Sequence, residues 1–226
     1  MATGSIPPAG GNPVGSDKDI QYNNAGAFGG ITPGAAGTVL TSGGAGVTPT
    51  FAAAGSGGAL VLLEQHTASS SATLDFTTFY SSTYDEYIME IVDLRPATNS
   101  TDLYFRVSTN GGSSYTSTNY FWGYRVNANT GGNDESSGAG VTGQIILFKT
   151  LSNSSNYGLS GYVRLYNPAG ASQKMFNYQT SAVSGGWGAG TGGAFLADNT
   201  AYNAVRLLMS SGNIAAGTAR IYGFAK

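Results

Sequence analysis

From residue 59 onward, apolar and polar positions alternate with a period of two. Leu103, Phe105 and Val107 alternate with Tyr104, Arg106 and Ser108, and Asn110-Gly111-Gly112 then offers a turn that tolerates positive φ. Leu159, Gly161, Val163 and Leu165 alternate with Tyr162, Arg164 and Tyr166, and Asn167-Pro168 ends the run. Val205, Leu207 and Met209 alternate with Arg206 and Leu208, ahead of Ser211-Gly212-Asn213. Further strands are predicted at 59–66, 72–79, 86–94, 119–127, 144–150, 173–181 and 218–224. No helix of three turns is predicted. Strands at this spacing, each closed by turn residues, predict an all-β fold, an antiparallel β-sandwich or jelly roll.

Residues 1–58 follow a different rule. They hold five of the seven prolines and fifteen of the thirty-five glycines, with only Asp17, Lys18 and Asp19 charged. Such a segment cannot bury enough apolar surface to offset the entropy of ordering it, so composition alone suits a linker. Its apolar residues are nevertheless placed. Ile20, Tyr22 and Phe28 frame one turn, and Val39, Leu40 and Phe51 frame another. The chain therefore divides into an extended Gly/Pro-rich arm, 1–58, that waits for a partner to order it, and a β domain, 59–226.

Composition narrows the function classes. Net charge is −2, and four Lys and six Arg lie scattered without a basic run. No electrostatic footprint for nucleic acid or an anionic membrane exists. The longest apolar run, Leu60-Val61-Leu62-Leu63 with Ala59, is far too short for a helical membrane span. With no Cys, disulfides and thiolate metal sites are ruled out. The first residues carry neither the basic nor the apolar region of a signal peptide, so synthesis in the cytosol is expected.

Gly37 to Gly46, running on to Pro49-Thr50-Phe51, resembles a short linker motif of bacteriophage tail-fibre and virion fibre proteins. Asp19 to Gly30 is similar to another element of the same proteins. The β domain resembles one that recurs at the ends of phage virion proteins. The residues that carry this are Ala72 to Phe76, Tyr84 to Tyr87, Arg95 to Thr98, Asp102 to Tyr115 and Gly217 to Gly223. The resemblance covers most of the chain and thins at 127–142 and 183–200. It implies a location in the virion, a β-sandwich or jelly-roll tip, a homotrimer, and contacts with other tail or capsid proteins through the arm. It brings no catalytic residue, and no cofactor or metal is expected.

Candidate chemistry is sparse. His66 is the one histidine and reads as a strand-end surface residue. Candidates for a hydrolytic carboxylate pair are Asp85, Glu86, Glu90, Asp93 and Asp102, but Asp85 and Glu86 lie at a strand start and Asp93 at a strand end, where charges face solvent or cap turns. The glycine-rich stretch 184–193 lacks the helix and lysine of a phosphate cradle and reads as a loop. Aromatics are the better lead for binding a host-surface glycan, as Tyr120, Trp122 and Tyr124 share one strand face, opposite Phe121 and Gly123. Trp187 stands within the glycine-rich stretch and is expected to be exposed. The expected function is a non-enzymatic phage fibre protein, anchored by its arm and displaying the β domain to the host surface. The alternatives are a capsid fibre, decoration or tail component with a structural role, and a small polysaccharide depolymerase.

Overall fold

The computed structural model of the chain describes residues 15–54, 60–128, 133–183 and 187–224, and the side chains of 128, 133, 134, 141, 142 and 187 lie outside that description. The described residues hold strands and no helix. They fall into two compact units, Met1–Ser56 and Gly57–Lys226.

The first unit consists of two hairpins. Strands β1 (Ile20–Asn24) and β2 (Ala27–Ile31) pair antiparallel around Ala25-Gly26. Both turn residues take positive φ, 53° and 94°, as a two-residue hairpin turn of the right twist demands. The Asn23 side-chain oxygen accepts the Gly26 amide at 2.7 Å and closes the turn. Strands β3 (Thr38–Thr41) and β4 (Thr50–Ala53) form the second hairpin. Among the described residues neither hairpin has a third strand, and two-stranded hairpins alone are marginal in water.

The second unit is an antiparallel β-sandwich, compatible with a jelly roll. Its larger sheet has eight strands, in the order β10 (Asn133–Thr142), β9 (Tyr120–Ala128), β14 (Trp187–Leu196), β13 (Lys174–Val183), β12 (Leu159–Tyr166), β7 (Glu86–Pro96), β16 (Ile214–Phe224) and β5 (Leu60–Thr67). The smaller sheet has four, in the order β11 (Ile145–Leu151), β8 (Thr101–Ser108), β15 (Ala204–Met209) and β6 (Thr73–Phe76).

Alternation decides which side chains meet between the sheets. Along β13, Lys174, Phe176, Tyr178, Thr180 and Ala182 point inward while Met175, Asn177, Gln179 and Ser181 point out. Leu103, Phe105 and Val107 of β8 and Leu207 of β15 fill the same interior from the smaller sheet. Two hydrogen bonds cross this apolar layer. The Val107 amide donates to the Tyr120 phenol at 2.8 Å, and the Thr180 hydroxyl donates to the Leu147 carbonyl at 3.0 Å. Burial without water makes each such bond a fixed registration point between the sheets.

The stretch 184–193, expected as a loop, is largely strand. From Trp187 onward it belongs to β14, which is hydrogen-bonded to β13 on one side and β9 on the other. The reason is packing. Gly192 lies between Tyr178 and Tyr124 of the flanking strands, whose rings run nearly parallel above it with centroids 6.4 Å apart. A Cβ on Gly192 would lie 2.2 Å from the Tyr178 ring, and one on Gly190 would lie 2.7 Å from the Tyr124 ring. Inward-facing glycines leave the volume that two core tyrosines occupy. Residues 184–186 lie outside the described residues.

Candidate functional site

Of the aromatic residues expected at a binding surface, three are in the core. Tyr120, Trp122 and Tyr124 are 0%, 6% and 4% exposed. Strand β9 turns that face toward the smaller sheet because Tyr120 bonds β8 and Tyr124 packs against Phe148 of β11. None of the three offers a ring to a ligand at the surface. Burial also pushes the Tyr120 phenol up to about 12, so it stays a neutral structural group. Trp187 is the first residue of β14, opposite Val183, and its side chain lies outside the described residues.

The face left open is the outer side of the eight-stranded sheet. Across β13, β14, β9 and β10 the register sets its side chains in three rows. One row is apolar: Met175, Phe195, Phe121 and Ala139. The next is Asn177, Gly193, Gly123 and Ser137. The third is polar: Gln179, Thr191, Arg125 and Glu135.

The middle row is a floor. A Cβ on Gly123 would meet nothing within 4 Å, and one on Gly193 would touch only Asn177 Oδ1 at 3.5 Å and a backbone carbonyl at 3.9 Å. On one side stand Phe121 and Phe195, stacked parallel with centroids 4.7 Å apart. On the other stand Thr191 and the Arg125–Glu135 pair, 3.4 Å apart. Two depressions of about 430 and 570 Å³ meet over Gly123, one against the phenylalanines and one against the polar row. Strands spaced ~4.8 Å apart give this trough a length of roughly 14 Å across the four strands.

Charge on this sheet face is balanced locally. Arg125 faces Glu135, Arg164 lies 3.1 Å from Glu86, and Arg220 lies 3.4 Å from Glu90. Arg164 also sits 5.1 Å from the Phe224 ring centroid. On the smaller sheet, Arg206 grips Asp75 with two bonds of 2.6 and 2.7 Å and lies beneath the Tyr115 ring.

His66 and Glu64 serve the framework. His66 Nε2 lies 2.8 Å from Glu64, and its ring meets Phe76 edge-on. Among the described residues, no three of His, Cys, Asp or Glu gather to hold a metal ion. Also among the described residues, no helix is long and apolar enough to cross a membrane.

The arm residues present a different surface. Ile20, Phe28, Val39 and Leu40 are between 40% and 51% exposed. Tyr22 and Phe51 are half-buried, the first over Gly29 and the second over Gly34. The Tyr22 phenol lies 3.2 Å from the Thr48 hydroxyl, which ties the first hairpin to the loop of the second.

No protein-family model, curated protein or solved structure matches this chain.

Proposed function

We propose that this chain is a fibre-type structural protein of a bacteriophage particle, anchored through its arm and carrying a jelly-roll-like domain to the host surface. The observation that carries the reading is the arm itself. Two hairpins with no third strand among the described residues expose Ile20, Phe28, Val39 and Leu40, an apolar surface that no core among the described residues of their unit covers. Such hairpins gain stability when sister chains or a particle component cover them. Small residues at the remaining positions allow close backbone approach about a three-fold axis. A homotrimer completed by other virion proteins fits this surface, and trimerisation lends avidity to a weak single-site contact.

The β domain needs no such help, because its core is continuous between two sheets. It fits the part displayed outward, with the open eight-stranded face meeting a host-surface glycan. The carboxylates of that face are held against arginines, an arrangement that suits binding rather than hydrolysis. The resemblance to phage fibre proteins points the same way.

Deletion of residues 1–56 tests the reading. The truncated domain is expected to melt cooperatively at the temperature of the full chain yet to be missing from purified particles. Sedimentation of the full chain is expected to give a trimer and of the truncated one a monomer. A monomeric full chain, or truncated protein incorporated normally, would overturn the proposal.

A further inference from the structure

The glycines of β9 and β14 divide into two kinds. Gly188, Gly190 and Gly192 of β14 face the core, where a Cβ would strike Val126, Tyr124 or Tyr178 at 2.9 Å or less. Packing accounts for them. Gly123 and Gly193 face solvent, lie directly opposite each other on neighbouring strands, and have ordinary φ with room above. A strand interior gains from β-branched or aromatic residues and loses from glycine, on the order of 0.5–1 kcal/mol at each position. Nothing in the fold compensates for these two. Glycine in a strand interior often marks a bulge, a tight bend or a close approach by a ligand or another backbone, and Gly123 and Gly193 pair in unbroken register, which leaves the last.

We infer that the Gly123–Gly193 floor is the binding site for a short, uncharged oligosaccharide, an assignment that rests on the host-surface role proposed above. The trough has the mixed character that a sugar ring requires. Phe121, Phe195 and Met175 supply apolar surface for its C–H face, while Asn177, Ser137 and Thr191 supply donors and acceptors for its hydroxyls. Its two depressions, about 430 and 570 Å³, lie in the size range of small-ligand sites.

Charge selects the class of glycan. Arg125, Arg164 and Arg220 on this face each have a carboxylate partner within 3.4 Å, and Arg95 has Asp93 at 3.9 Å. An anionic sugar, whether uronate, sialate or phosphorylated, would meet an Arg125 already paired with Glu135 and would face that carboxylate at the polar wall. An uncharged hexose or N-acetylhexosamine chain meets no such penalty.

The test uses the full-length protein and an immobilised panel of uncharged and acidic oligosaccharides. Retention on at least one uncharged member is expected, with little change between about 50 and 500 mM NaCl, because screening weakens only interactions between charges. Gly123→Val has space for its side chain and suits a strand, so its melting temperature should hold while affinity falls about tenfold or more. Asn177→Ala, which changes an exposed residue, is the second variant and should weaken retention without moving the melting temperature. Retention on acidic members alone, retention on none, or undiminished binding by both variants would overturn the inference. Incorporation of wild type and variants into particles separates the two readings: normal incorporation without glycan retention sinks the trough and leaves the fibre role standing.

Discussion

Glu64 shows how much of the domain's polar chemistry is structural. Its carboxylate accepts the Thr77 amide at 3.1 Å and the Thr78 amide at 2.8 Å, and it faces His66. Burial alone would raise its pKa, but the His66 contact and the two amides outweigh that and hold it below its ordinary 4.5. A carboxylate with a depressed folded pKa adds stability that is full above the unfolded value. That stability is lost as pH falls through the folded one. Glu64→Gln should therefore cost about 1–2 kcal/mol at neutral pH, and the gap from wild type should close below pH 4.5. Urea denaturation at both pH values reads this directly, and an equal gap at both would show that the charge is unimportant. Sequence placed His66 at a strand end but gave no hint of this partnership, since Thr77 and Thr78 reach Glu64 only when β6 folds across from β5.

At the scale of the strand, β14 explains both the success and the failure of reading alternation. Strands β8, β12 and β15 carry large apolar residues at every second position and were legible. The ten residues Trp187–Leu196 contain four glycines and two alanines, so most positions carry too small a side chain to judge a period by. That element is specified by its neighbours, whose tyrosines need the room. The same cause misplaced the candidate site. Alternation correctly separated Tyr120, Trp122 and Tyr124 from Phe121 and Gly123, but only the opposing sheet decides which face is interior. Two substitutions one residue apart should then behave oppositely. Gly192→Ala forces a Cβ into the Tyr178 ring and should destabilise by about 1–3 kcal/mol. Gly193→Ala meets only ordinary contacts and should be neutral or stabilise by up to about 1 kcal/mol. Urea midpoints that move together would refute the division of glycines into core-facing and ligand-facing.

On the scale of the whole molecule, the all-β class was visible in composition and period, while the pairing order was not, because nothing local encodes which distant strand becomes a neighbour. That order has a consequence for how the chain is made. Strand β5 pairs only with β16 and β6 only with β15, so these two opening strands of the domain find their strand partners only in its last residues. Removing residues 214–226 should accordingly leave an insoluble or unfolded chain, whereas a soluble, cooperatively melting product would show that β16 is dispensable. At ~5–20 residues per second of synthesis, the first strands wait roughly 10–30 s for those partners. The arm has no such dependence, because each of its hairpins closes within its own unit and emerges first. If the arms join sister chains as proposed, nascent chains would find one another through them while their domains are still being translated. Assembly would precede folding, and neighbouring ribosomes on one message would become the natural source of subunits.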